Sequence, residues 1–279
     1  VDAGTDDAGE AGAAAMFAPD SVTRLIHEDP VFAVAGLRAL LLQALHPRAM
    51  AAVAAHGGFE ADPWGRLTRT TEFVATMTWG TVDEAGRAAA RVRGIHRKLR
   101  GTDPFTGEEY RLDQPDLLLW VHCCEVGSFV DLARRVGLVD RDGAAAYLQE
   151  QVRPAVMVGV READVPRDLR QLDEYFRTVR PQLALLPEAA AGARALAVPP
   201  MPGWVQWLTP ARVAWGGLTG LALSTLPRWA RRMYRLPGLP TTDLVATTTV
   251  RTLRTVALTV PASVREGPAL RAAREREAA

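Results

Sequence analysis

VFAVAGLRALLLQALH, residues 31–46, is apolar on almost every face and is interrupted only by Arg38 and Gln43. A helix that is apolar all round has to be covered on most sides, so this segment predicts the centre of a helical core. Pro47 follows it and kinks or ends the helix. Alanine content carries helix on through 49–55, and His56, Gly57 and Gly58, then Asp62 and Pro63, mark a turn.

Outward from that segment, 64–79 places Arg66, Thr70, Phe73 and Met77 at spacings of four, three and four, one helical face with a polar start and an apolar end. After Gly80 and Thr81, residues 82–100 repeat the pattern. Ala85, Ala89, Val92, His96 and Leu99 form an inward stripe, while Arg87, Arg91, Arg93 and Arg97 lie elsewhere. His96 therefore stands where a core residue would. The Gly, Pro and Asp density of 101–115 predicts a loop of the length that carries function. Residues 116–136 make a third strong helix, with Leu118, His122, Glu125 and Phe129 on one face. Further helices are expected over 144–151, 167–179 and 187–197, and more loosely over 241–260, where Thr and Val lower the propensity. No run shows clean period-two alternation, and the fold reads as all-α.

Thirty-three basic against 32 acidic residues leave a net charge of +1, and the signs alternate along the chain. That pattern excludes the excess positive charge of a nucleic-acid binder. Lys98 is the only lysine, so nearly every cation is arginine. The two cysteines, Cys123 and Cys124, are adjacent, which excludes a disulfide framework and the C-x-x-C spacing of structural zinc. A reducing compartment fits best. The start, VDAGTDDAGEAGAAA, has neither the cationic n-region nor the apolar stretch of a secretory signal. The expected organisation is a disordered leader over 1–20, one all-helical domain over 21–265 and a charged tail over 266–279, in a cytoplasmic protein. Between 201 and 237, four tryptophans and an apolar run at 213–226 are too short to span a bilayer. The run reads first as a buried core helix; the alternative is peripheral membrane contact, with Trp and Arg228, Arg231, Arg232 and Arg235 at a headgroup layer.

Four of the five histidines, His46, His56, His96 and His122, lie on or beside predicted core helices. A lone histidine on an apolar stripe is most often a neutral, hydrogen-bonded core residue, but four together point to a site. No H-E-x-x-H, Gly-rich phosphate loop or G-x-S-x-G elbow is present. His122 and Glu125, three apart, can face one metal ion, so a non-haem centre with His46 or His96 is one reading. Arg66 and Arg69, just before Thr70, either tie down a loop or clamp a carboxylate. Tyr110, Asp113 and Trp120 are taken as structural. A third reading is a helical carrier that sequesters an apolar molecule without chemistry.

Gln43-Ala-Leu-His46-Pro47, Arg66-Leu-Thr-Arg69-Thr70, Ile95-His96 followed by Gly101, Tyr110-Arg-Leu-Asp113 and Trp120-Val-His122, in that order and spacing, resemble a known family. It is common in actinobacteria and includes the latex-clearing rubber oxygenases and the endoplasmic-reticulum-bound oxygenase of mycophenolic acid biosynthesis. The resemblance runs from about residue 30 to about residue 175, and Leu226-Pro227 with Arg231 to Tyr234 resembles the family's C-terminal helices. It implies a globin-related helical bundle, a haem b iron centre, and oxidative cleavage by molecular oxygen of a carbon–carbon double bond in a hydrophobic, isoprenoid substrate. It also implies His96 as the proximal iron ligand, and Arg66, Arg69 and Thr70 as haem-binding, with Arg66 and Thr70 near the reacting face. Where the rubber enzymes carry a lysine able to bind the distal iron position, this chain has Arg69, whose protonated guanidinium has no lone pair to give. An open or water-filled distal site is expected. Glu60 and Asp62 are the nearest counterparts to those enzymes' acidic base.

Overall fold

The structure, a computed structural model, describes residues 14–56, 62–199, 201 and 209–278. Its helical elements begin with α1 (Val22–His27), α2 (Val31–Gln43) and α3 (Pro47–Ala55). Next come α4 (Pro63–Trp79), α5 (Val82–Lys98), α6 (Pro115–Arg135), α7 (Arg141–Glu150) and α8 (Val152–Val158). The chain continues through α9 (Leu169–Val179), α10 (Pro187–Ala197), α11 (Ala211–Thr225), α12 (Arg228–Met233), α13 (Pro240–Leu258), α14 (Ala262–Arg265) and α15 (Pro268–Ala278). The all-α expectation holds, with α-helix dominating the described residues.

The core is built on α2 laid along α6. Val34, Ala35, Leu41 and Leu42 of α2 and Trp120, Cys123, Cys124 and Leu132 of α6 are all but sealed from solvent. Arg38, the break in the apolar run, is buried too. Its guanidinium donates to the carbonyls of Thr225 and Gly127 at 3.1 and 3.2 Å and lies 3.2 Å from Asp131, so the charge enters the core with its donors satisfied.

The pair α4 and α5 is built differently. Each helix has 17 residues, and Gly80 and Thr81 join them. Thr81 closes a capping box with Glu84. A side chain at Gly80 would come within 2.5 Å of the Thr76 carbonyl, so the tight turn needs glycine. The two helices pack on each other, and they reach the body through α1 and α15 on the α4 side and through α8 on the α5 side.

Three stretches depart from expectation. The 101–115 loop contains an antiparallel hairpin, β1 (Arg100–Thr102) with β2 (Glu109–Arg111), in which Gly101 faces Tyr110. Tyr110 is buried under the Arg48 guanidinium, 4.3 Å from its ring centre, and its hydroxyl donates to the Arg48 carbonyl, which fastens the hairpin to α3. The charged stretch 266–279 was expected as a tail. It forms α15, which docks on α4 with Leu270 and Ala273 buried and pairs Glu277 with Arg24. Within the expected leader, Met16 and Phe17 pack on Met77, Ala85 and Ala89, while residues 1–13 lie outside the described residues.

The apolar run 213–226 splits its faces. Thr219, Ala222, Thr225 and Leu226 are buried, whereas Val213 is 79% exposed. Trp204 and Trp207 lie outside the described residues. Among those described, no helix is long and apolar enough to cross a membrane.

Candidate functional site

Arg66, Arg69 and Thr70 lie in the first half of α4, and His96 lies in the last turn of α5, the helix packed on it. Arg66 and Thr70 also line a small cavity of about 30 Å³ whose other walls include Leu40, Trp64, Leu196 and Trp215. The Trp64 and Trp215 rings meet edge to face at 5.0 Å, and the Trp215 indole N–H donates to the Leu196 carbonyl at 2.7 Å. Burial, reinforced by the neighbouring Arg69 charge, lowers the pKa of Arg66 from an ordinary value so high that the group remains a cation. A guanidinium at the edge of an apolar wall is suited to hold a carboxylate.

His96 is half-buried on α5 and is not a wall of that cavity. Its Nδ1 is buried and meets no hydrogen-bond partner. Burial lowers its pKa, opposed by the charge of Asp113, so the ring is neutral at pH 7 and keeps a lone pair for donation.

Arg69 is exposed. Its Nη1 lies 3.2 Å from Asp62 Oδ2 in an exposed ion pair. Asp62 caps α4 by accepting from the Gly65 N–H at 2.9 Å, and that bond, followed by Arg69, holds its carboxyl below the ordinary range. It stays ionised and engaged, as a cap rather than a proton acceptor. Glu60, the other acidic candidate, lies outside the described residues. Thr70 donates its hydroxyl to the Arg66 carbonyl one turn back at 2.9 Å.

The remaining histidines occupy separate environments. His46 ends the turn before α3, buried 5.8 Å from the Trp120 ring, with Nδ1 unpartnered. His56 uses Nε2 to donate to the Arg100 carbonyl at the hairpin. His122 is buried on α6, and burial lowers its pKa to about 4; one turn on, burial raises Glu125 to about 7. Both groups are thus held neutral over part of the physiological range. The non-haem reading needs a third ligand. Among the described residues no group of three or more His, Cys, Asp or Glu side chains is placed to hold a metal ion.

Sequence reasoning gave no role to His27. Thr78 donates to the Val74 carbonyl, so it accepts from His27 Nδ1 at 2.8 Å, and His27 Nε2 then accepts the Tyr147 hydroxyl at 3.1 Å. With a pKa lowered by burial to about 3, His27 is a neutral strut joining α1, α4 and α7. The cavity walls were missed as well. Leu40, Trp64, Leu196 and Trp215 come from four helices, and only the concentration of tryptophans near 215 hinted at them.

The chain matches the family model described as "ER-bound oxygenase mpaB/B'/Rubber oxygenase, catalytic domain" over residues 23–258. No curated protein matches it, and no solved structure does.

Proposed function

Because the chain belongs to the family of ER-bound and rubber oxygenase catalytic domains, we propose that it is a haem b-dependent oxygenase. On this reading it uses molecular oxygen on a small hydrophobic substrate, with cleavage of a carbon–carbon double bond, as in an isoprenoid chain, or a related oxidation. The observation that carries the haem assignment is the His96 imidazole, neutral and with a buried ring nitrogen that no protein group satisfies. A proximal ligand has that chemistry. The cavity beside Arg66 and Thr70 has room for little more than a water molecule, so the macrocycle is not assigned to it.

When bound, the haem supplies the redox chemistry with dioxygen, and the chain supplies the rest. His96 would hold the iron through a nitrogen lone pair. Arg66, a permanent cation on the partner helix of the hairpin, is the group suited to a propionate carboxylate. Thr70, with its proton committed to the Arg66 carbonyl, offers only lone pairs and so accepts rather than donates. The Trp64 and Trp215 wall excludes water from one flank of an apolar substrate. Arg69 stays paired with Asp62, and its protonated guanidinium would offer the iron no lone pair.

The test is the visible spectrum and metal content of protein purified from a haem-replete host. A Soret band with one iron per chain is expected, high-spin when ferric and converted by cyanide. Colourless, iron-free protein that also fails to take up added hemin would overturn the reading.

A further inference from the structure

The C-terminal helices carry a surface that the proposed chemistry does not use. Along α13 the exposed positions include Thr241, Leu244, Val245, Thr248, Thr252, Thr255 and Val256, with Arg251 the one charge among the exposed residues of the helix. A water-facing helix of this length ordinarily carries ionic residues on that side. Leu244, Val245 and Val256 are 70, 64 and 59% exposed, and Val213 on α11 and Val264 on α14 are more exposed still. Three threonines of this stretch spend their hydroxyl protons on the helix backbone. Thr249, Thr255 and Thr259 donate their hydroxyls to the carbonyls of Val245, Arg251 and Val256 at 2.9, 3.0 and 2.7 Å, which turns hydroxyl groups inward onto the helix backbone. Between α11 and α13 runs an open groove of about 430 Å³, lined by uncharged residues that include Gly217, Leu221, Ser224, Val245 and Thr249.

Charge identifies what covers this face. Residues 209–265 contain eight arginines and one carboxylate, Asp243, in a chain whose net charge is only +1, so the remainder is net acidic. Asp243 is shared by Arg228 and Arg231. Arg212, Arg232 and Arg235 have no carboxylate partner among the described residues, and Arg251 and Arg265 donate only to backbone carbonyls. A second copy would bring the same arginines against this face and be repelled. An anionic surface with an apolar layer beneath it matches both features.

We propose that the α11–α14 face is a docking surface for an anionic lipid bilayer, with the exposed Leu and Val side chains of α13 entering the headgroup boundary and the arginines around it meeting lipid phosphates. The helix α11 joins this face to the candidate site: it presents Val213 outward and Trp215 to the cavity beside Arg66. An apolar substrate dissolved in the bilayer would meet the protein at the helix that forms that wall. The surface does not depend on haem, and its test needs none.

The experiment is flotation of the full chain with vesicles of phosphatidylcholine alone or mixed with phosphatidylglycerol. Binding at least about tenfold stronger to the anionic vesicles is expected, since a few arginines near such a surface suffice for that factor. It should fall in about 0.5 M salt, where the screening length shrinks to a few ångströms. The paired substitutions Leu244→Glu and Val245→Glu should abolish flotation with the circular dichroism unchanged. Phe105→Glu, an equally exposed change on the β1–β2 turn, should leave it intact. No flotation at low salt, or equal flotation of the Leu244→Glu/Val245→Glu protein, would overturn the proposal. So would a dimer in sedimentation that the same pair converts to monomer, which would assign the face to a second copy.

Discussion

The α2–α6 pair and the α4–α5 pair divide the work of the molecule between them. In α6, 14 of 21 residues are buried, and even the arginine facing it from α2 has its charge and donors met. In α4 and α5 only Met77, Thr78, Ala85 and Ala89 are buried, yet Arg66, Arg69, Thr70 and His96 all lie there. Cohesion is concentrated in one pair and the proposed chemistry in the other. The difference shows how a candidate site can sit on elements with little burial: the close-packed pair supplies the stability, which leaves the hairpin free to carry a half-buried neutral imidazole and a guanidinium.

The sharpest break in that comparison comes from Trp120→Ala. Trp120 is sealed from solvent, donates to the Gln43 carbonyl at 3.1 Å and meets Phe176 edge to face at 6.1 Å, so it ties α6 to α2 and α9. Its loss should cost about 3 to 5 kcal/mol in denaturant unfolding, through the cavity and the orphaned carbonyl. A cost below about 1 kcal/mol would show that the pair is not where stability resides.

A smaller effect tests a titratable weakness of α6. Burial raises the Glu125 pKa from 4.5 to about 7, and the neighbouring histidines His122 and His27, lowered to about 4 and about 3, bring no positive charge to it. The folded protein thus holds a proton that the unfolded chain has released. The Glu125 contribution to stability should be full below about pH 4.5 and decline as pH rises to about 7, by at most about 3 kcal/mol. It runs against His122 and His27, whose lowered values make stability rise with pH up to about 6.5, so it is read as the difference between the protein and Glu125→Gln, which should shift in favour of the variant as pH rises across the window. A difference that does not change with pH would mean that the carboxyl ionises freely in the folded state.

How much of this was legible in the sequence follows the same division. An all-round apolar run identified α2, and spacing identified the inward stripe of α5, because both are periodic signals contained in one helix. The hairpin was not legible, since three-residue strands are too short to show alternation. Nor was α15, whose anchors are just Leu270 and Ala273 among charges that face outward. His27 acquires its role through partners 51 and 120 residues away, and no local pattern contains that information. Arg69 is the instructive case. The family resemblance makes it a haem-binding residue, and the structure adds a partner for it, Asp62, which also caps the helix.

On the hairpin itself, His96→Ala should separate chemistry from cohesion. The residue is half-buried and its Nδ1 satisfies nothing, so removal should change stability by no more than about 1 kcal/mol. Stoichiometric haem should nevertheless be lost, while His122→Ala keeps it. Haem titration of both variants checks this, and full retention after His96→Ala would move the iron ligand elsewhere.

The smallest effect is expected from Arg69→Lys, and its smallness is informative. A lysine amine can lose its proton and bind ferric iron, which a guanidinium cannot, so the substitution installs a possible ligand at the position where the resembling rubber enzymes carry one. The structure directs the side chain elsewhere. Arg69 is exposed and lies 3.2 Å from Asp62, whose carboxylate is already fixed by the Gly65 N–H and would hold an ammonium as readily. A protonated amine paired with a carboxylate has no lone pair for iron. The ferric spectrum of Arg69→Lys should therefore stay high-spin at neutral pH, with the melting temperature unchanged within error. Conversion to a low-spin spectrum would show that residue 69 reaches the iron after all, and that the start of α4 turns its charged face inward once haem is bound.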